Sequence, residues 1–223
     1  DRTLFDTRAR TLTILWEYAE RCREHDAQLS LALEQAELGS IQPMIGDTLR
    51  MLGETRPTVL SDVGRFWRER FLHDDYLVYD TPAPGAADFV RDIHGIGAHV
   101  MVVTHRDLMG MYLGTCRALR DHGFWLGEPG FELIMKPDFE VSDEAFKRMT
   151  FPKVNRVGPV AAVFDGVSIG CAIAQELSST ANFGVPYVVE VQLHGAEGAL
   201  DSRQIERLTQ GTVEQGDWDI IQD

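Results

Sequence analysis

The chain has 223 residues, 44% of them hydrophobic and 25% charged, with a net charge of −14. That length supports a well-buried core in one domain, or in one domain with an insert. The charge sets aside general binding to phosphate backbones, and no apolar run of about 18 residues is present to cross a membrane.

The opening run DRTLFDT is too short to be a domain and reads as the stretch just after a first strand. From Thr7 to about Tyr79 the pattern is helical. Leu12, Leu15, Trp16, Ala19 and Cys22 recur at three-to-four spacing, which predicts one apolar helix face. Gly39, Pro43 and Gly53 punctuate the stretch, and Pro57 stands where a helix would start, ahead of TVLSDVGRFWRERFL.

After DTPAPG the rhythm changes. AADFVRDIHGIG predicts a helix ending at glycine, AHVMVV a buried strand, LMGMYLGTCRALRDHG a helix and FELIM a strand. SDEAFKRM predicts a short helix with Ser142 as N-cap and Ala145 at the third position. VAAVF is a further buried strand, IGCAIAQEL a helix, YVVEV a last strand and SRQIERLTQ a helix in the tail. Strands alternating with helices imply βαβ units and a parallel sheet. Their continuous apolar character predicts burial on both faces. Cys22, Cys116 and Cys171 are far apart with no CxxC pair, which suits reduced, buried thiols and a cytoplasmic setting. No signal-peptide pattern is evident.

In an open parallel sheet, ligands bind beyond the carboxyl ends of the strands. Asp1 and Thr3 come just after the position of a first strand. Thr104, His105, Arg106 and Asp107 follow HVMVV, Lys136 follows FELIM with Lys147 on the next helix, and Asp165 and Gly166 follow VAAVF. An Asp after a strand is as often a helix cap as a ligand. It is the ordered set of acids, hydroxyls and cations along one edge that points to chemistry.

These residues resemble the motifs of the haloacid dehalogenase superfamily. DRTLFDT is similar to the end of its first motif, Asp-x-Asp-(Gly)-Thr. MVVTHR is similar to the second, an apolar strand ending in Thr or Ser. A lysine follows as the third, and VFDGVSIG resembles the fourth, an apolar strand ending in acid. The resemblance implies an α/β fold: a Rossmann-like parallel sheet flanked by helices, with a C1-type helical cap inserted after the first strand. The core would be residues 1–7 and 80–223, and the cap residues 8–79.

The resemblance also implies an activity, Mg²⁺-dependent hydrolysis of a small phosphomonoester through an aspartyl-phosphate. The nucleophilic Asp would stand two positions before Asp1. Asp1 would be acid/base and a metal ligand, and Asp165 would hold the metal. Thr104 and Lys147 would hold the phosphoryl oxygens, and Thr3, His105, Arg106 and Lys136 would face the substrate, with Thr3 mainly ordering the loop. FELIMKPDFEVSDEAFKR further resembles polynucleotide kinase 3′-phosphatase domains, which makes Lys147 the motif lysine and Lys136 a substrate-side cation. A lysine directly after the strand is also a common form of the motif, so Lys136 stays open as the alternative, with Lys153 third. A dehalogenase is disfavoured because those relatives lack the acid that Asp1 supplies.

The sequence departs from the pattern at Arg2, where glycine is usual, and at Ile169, where many relatives carry a second acid. A non-catalytic binding module of the same fold is therefore the competing expectation. The acidic FLHDDY reads as a cap edge or a solvated helix end. Trp67 with Arg65, Arg68 and Arg70 reads as a substrate patch or as an amphipathic helix with snorkelling stems. The remaining histidines show no ligand spacing.

Overall fold

The computed structural model of the protein describes residues 3–166, 168–178 and 187–190. These form two compact units. One holds the described residues of Asp1–Asp6, Pro82–Tyr112 and Leu119–Asp223, and the other holds Thr7–Thr81 and Leu113–Ala118. The chain begins in the first unit with β1 (Phe5–Asp6), where the Phe5 ring lies 5.4 Å from that of Phe124.

It then runs through four helices of the second unit: α1 (Arg8–Cys22), α2 (Ala27–Glu34), α3 (Ile45–Met51) and α4 (Pro57–Phe71). Their apolar faces meet in one core of Leu12, Leu15 and Ala19 from α1, Leu29 and Leu33 from α2, Leu49 from α3 and Val63 from α4. Each such leucine contributes about 1.5–3 kcal/mol on leaving water. Pro57 opens α4 at its first position, where a missing N–H costs nothing, and Asp26 caps α2 by accepting from the Leu29 N–H at 3.1 Å. Trp16 departs from the predicted stripe and is 47% exposed. The buried side of α1 runs instead through Thr11, Leu12, Ile14, Leu15 and Ala19, which leaves Trp16 just beyond its edge. Cys22 and Cys116 are half-buried, so burial of the thiol holds fully only for Cys171.

A 3-10 stretch, Asp74–Tyr79, comes next, and its acids are not simply solvated. Asp74 Oδ1 accepts the Gly114 N–H at 2.6 Å, and a Cβ on Gly114 would stand 2.6 Å from the Asp74 carbonyl. Only glycine permits that approach.

The chain continues through β2 (Thr81–Pro82), α5 (Ala86–Gly95), β3 (Val100–Asp107), α6 (Leu108–Asp121), β4 (Phe131–Lys136), α7 (Asp143–Val154), β5 (Ala162–Asp165), α8 (Ser168–Ser178) and β6 (Tyr187–Glu190). The alternation of strand and helix is the one the apolar pattern predicts. Ser142 caps α7 as expected, its hydroxyl accepting from the Ala145 N–H at 3.2 Å. The helix is longer than predicted, because Pro152 falls in its last turn and α7 still runs to Val154. The predicted tail helix SRQIERLTQ lies outside the described residues.

β3 pairs in parallel with β4, and β5 with β6. One apolar layer serves both pairs: Phe151 and Val154 of α7 and Ile173 and Ala174 of α8 pack with Met101, Val103, Ile134 and Val163. The strands are less buried than predicted, with Val100–Val103 only half-buried. Among the described residues, β3 and β5 each carry a partner strand on one side only, and an unpaired side leaves a strand partly exposed. No described helix is long and apolar enough to cross a membrane.

Candidate active site

The candidate residues gather near the carboxyl ends of three strands, β3, β4 and β5. β3 does not stop at Thr104. It continues to Asp107 with an irregularity: Thr104 stands opposite Met135 and Asp107 opposite Lys136, so His105 and Arg106 are the extra residues. Such a bulge re-aims side chains and is common beside active sites. The strand predicted over AHVMVV therefore runs on to Asp107, distorted where the polar residues begin. Asp107 closes it as a cap for α6, accepting from the Gly110 N–H at 2.8 Å.

Thr104 is buried, and its hydroxyl accepts the Arg106 N–H at 3.3 Å. The Arg106 side chain is also buried, its guanidinium 5.3 Å from the centre of the Phe5 ring. Lys147, from the first half of α7, forms an ion pair with Asp165 Oδ2 at the end of β5. Both are nearly sealed, at 3% and 8% exposure. Next to them the Gly166 N–H donates to Thr3 Oγ1 at 2.7 Å, which ties the first loop to the turn after β5. Asp1 lies outside the described residues.

A second cluster flanks the first. Lys136, the last residue of β4, pairs with Asp143 Oδ1 at 3.0 Å, and Asp143 Oδ2 stands 3.3 Å from His105 Nδ1. The Lys136 ammonium also lies 5.3 Å from the centre of the Phe139 ring. Burial, followed by the charge of Lys147, pushes the His105 pKa down to about 4, against the opposite pull of Asp143. His105 is thus a neutral imidazole at pH 7.

Two residues here escape the sequence reading. Asp143 opens a helix, where an acid is accounted for by the helix dipole alone, so its bridging contacts leave no separate signal. The other is Gly170 in α8. A Cβ there would collide with both Asp165 Oδ2 and Lys147 Nζ, so the glycine lets the helix close against the ion pair. Gly170→Ala is expected to destabilise the protein by about 1–3 kcal/mol, the range for overpacking. Gly64→Ala in α4, where nothing lies within 4 Å, should be neutral or stabilising by up to about 1 kcal/mol. Urea midpoints of the two variants check this, and equal midpoints would remove the packing role of Gly170.

Other candidate residues are engaged within the helical unit. Trp67 donates to Thr11 Oγ1 at 3.2 Å and stacks on Phe71 at 4.3 Å. Arg70 pairs with Glu17 at 3.1 Å and lies 3.4 Å over the Phe66 ring, and Arg65 pairs with Asp62 at 3.1 Å. These are the contacts of an amphipathic helix.

No protein-family model matches the chain, and no curated protein sequence does. A solved structure does: the crystal structure of a protein from Bacteroides fragilis named as a haloacid dehalogenase-like hydrolase. It superposes with a TM-score of 0.51 over 92% of this chain and 89% of that one, at 12% identity. The fold is haloacid dehalogenase-like. At that identity the likeness bears on the fold alone, so what the chain does must rest on its own residues.

Among the described residues no three His, Cys, Asp or Glu side chains group as a metal site. Asp165 is one buried carboxylate at a strand end. That fits Mg²⁺, which binds through one or two carboxylates together with waters and substrate oxygens.

Proposed function

We propose that the protein is a phosphohydrolase of the haloacid dehalogenase type, acting with Mg²⁺ on a small phosphomonoester. The observation that carries the reading is the buried Lys147–Asp165 pair at the carboxyl end of β5, braced through Thr3, together with the buried Thr104 of β3. A cation, an acid and a hydroxyl at that edge are the groups that phosphoryl transfer to a carboxylate requires.

In this reading the nucleophile is an Asp two positions before Asp1, and it attacks phosphorus to give an aspartyl-phosphate. Asp1 protonates the leaving oxygen and then takes a proton from the attacking water. Thr104 and Lys147 hold the phosphoryl oxygens where negative charge develops. Lys136, His105 and Arg106 sit on the substrate side. Asp1 and Asp165 would hold the Mg²⁺, which when bound neutralises charge between nucleophile and phosphoryl oxygens. The helical unit acts as a cap that excludes water and selects the substrate. The net charge of −14 favours a small phosphorylated metabolite over a nucleic acid.

One observation favours a second reading, a non-catalytic module of the same fold. The Lys147 ammonium already neutralises Asp165, the residue assigned to the metal. Two measurements on the full-length protein decide between them. The hydrolase reading expects Asp two positions before Asp1 and Mg²⁺-dependent release of phosphate from 4-nitrophenyl phosphate, reduced at least tenfold in Asp165→Asn. Any other residue at that upstream position, or no turnover across a broad panel of phosphate esters, leaves the binding module.

A further inference from the structure

Asp143 touches two functional side chains from different strands. One carboxylate oxygen holds Lys136 at the end of β4, and the other faces His105 in the bulge of β3. The backbone that carries it is held by local capping bonds. Asp143 is the first residue of α7, next to the Ser142 cap, and Asp138 closes the preceding turn by accepting the Glu140 N–H at 2.8 Å. Lys136, its partner, is itself buried.

His105 carries one ring proton, and its surroundings decide which nitrogen holds it. A lone pair on Nδ1 would face the charge of a carboxylate oxygen 3.3 Å away, whereas a proton there is attracted to it. The other nitrogen, Nε2, is buried and has no hydrogen-bond partner among the described residues. A proton on Nε2 would be a buried donor with nothing to receive it, in the field of the Lys147 cation.

We propose that Asp143 is a positioning residue that holds His105 as the Nδ1–H tautomer and so presents Nε2 as a buried hydrogen-bond acceptor. The acceptor favours an O–H or N–H donor in whatever the protein binds. It does not attract an unprotonated phosphoryl oxygen, which is itself an acceptor. His105 therefore reads the organic part of a ligand, and Lys147 remains the cation for its anionic part. This last assignment rests on the hydrolase reading; the tautomer does not.

The test is ¹⁵N NMR of the ring nitrogens in the full-length protein at pH 7, with the His105 signals identified by their loss in His105→Gln. The wild type should show Nδ1 protonated and Nε2 bare. Asp143→Ala should shift at least half of the population to the Nε2–H form, and Lys136→Met should leave the tautomer unchanged. An Nε2–H or doubly protonated ring in the wild type overturns the proposal, as does an unchanged tautomer in Asp143→Ala. Should Asp143→Ala fail to fold, the wild-type spectrum alone decides. A merely structural role for Asp143 would move stability but not the tautomer. Because the spectrum needs no turnover, failure of the hydrolase reading and failure of this inference appear in different measurements.

Discussion

Arg10→Met should destabilise the helical unit by about 3–5 kcal/mol, the cost of removing one partner from a buried ion pair. Arg10 Nε stands 2.9 Å from Asp80 Oδ1, and both side chains are 0% exposed. The same guanidinium donates to the Phe71 carbonyl at 2.7 Å and stacks 3.8 Å over the Phe71 ring. One side chain of α1 thus holds the end of α4 and the residue at which the 3-10 stretch ends. Truncating it takes a cation away from a carboxylate that is sealed from water and removes the donor to the Phe71 carbonyl. Asp80→Asn keeps the shape and a hydrogen-bonding oxygen, so it should cost less than Arg10→Met. The double variant Arg10→Met/Asp80→Asn should cost less than the sum of the two, because the second change removes the charge that Arg10 balances. Urea unfolding followed by far-ultraviolet circular dichroism on the four proteins gives the cycle. Strict additivity would show that the pair is not coupled.

That pair illustrates what the sequence hides. Arg10 sits on a helix whose spacing announces an apolar stripe, and nothing local says that this arginine is inside it. Its partner lies 70 positions away, and periodicity reports which face is buried but not which distant charge meets it. The features that were legible are local ones. Ser142 caps α7 through its own third residue, Pro57 starts α4 because it cannot continue a preceding one, and the apolar strands alternate with helices at spacings that few folds accommodate. Lys136 and Asp165 were legible as strand-end residues for the same reason. Failures came where the third dimension overrides the pattern. The bulge at His105 and Arg106 keeps the chain extended past the end of the predicted strand. Trp16 satisfies the spacing yet falls outside the buried arc. Gly170 looks like an ordinary small residue until its missing Cβ is set against Lys147 and Asp165.

Lys147→Met should lower kcat/KM for 4-nitrophenyl phosphate by about 10²–10³-fold, as loss of a preorganised charge at the reacting group does. Lys136→Met should lower it by about tenfold or less, mainly through KM, as loss of binding shared by ground and transition states does. The difference arises from how each lysine is neutralised. Lys136 pairs with an Asp143 side chain that is 54% exposed, so the carboxylate left behind can be solvated and the site changes little. Lys147 pairs with Asp165, both sealed, so its charge acts through low dielectric on anything bound beside it. Met keeps the length and apolar stem of lysine, which limits the packing loss. Unfolding midpoints must accompany the kinetics, because Lys147→Met also strands the Asp165 carboxylate. Double substitution with Asp165→Asn should restore stability without restoring turnover. If Lys136→Met proves the more damaging of the two, the lysine directly after β4 carries the phosphoryl group and Lys147 is a structural counter-ion. If stability and activity return together in the double variant, the Lys147–Asp165 pair holds the fold and takes no part in the chemistry.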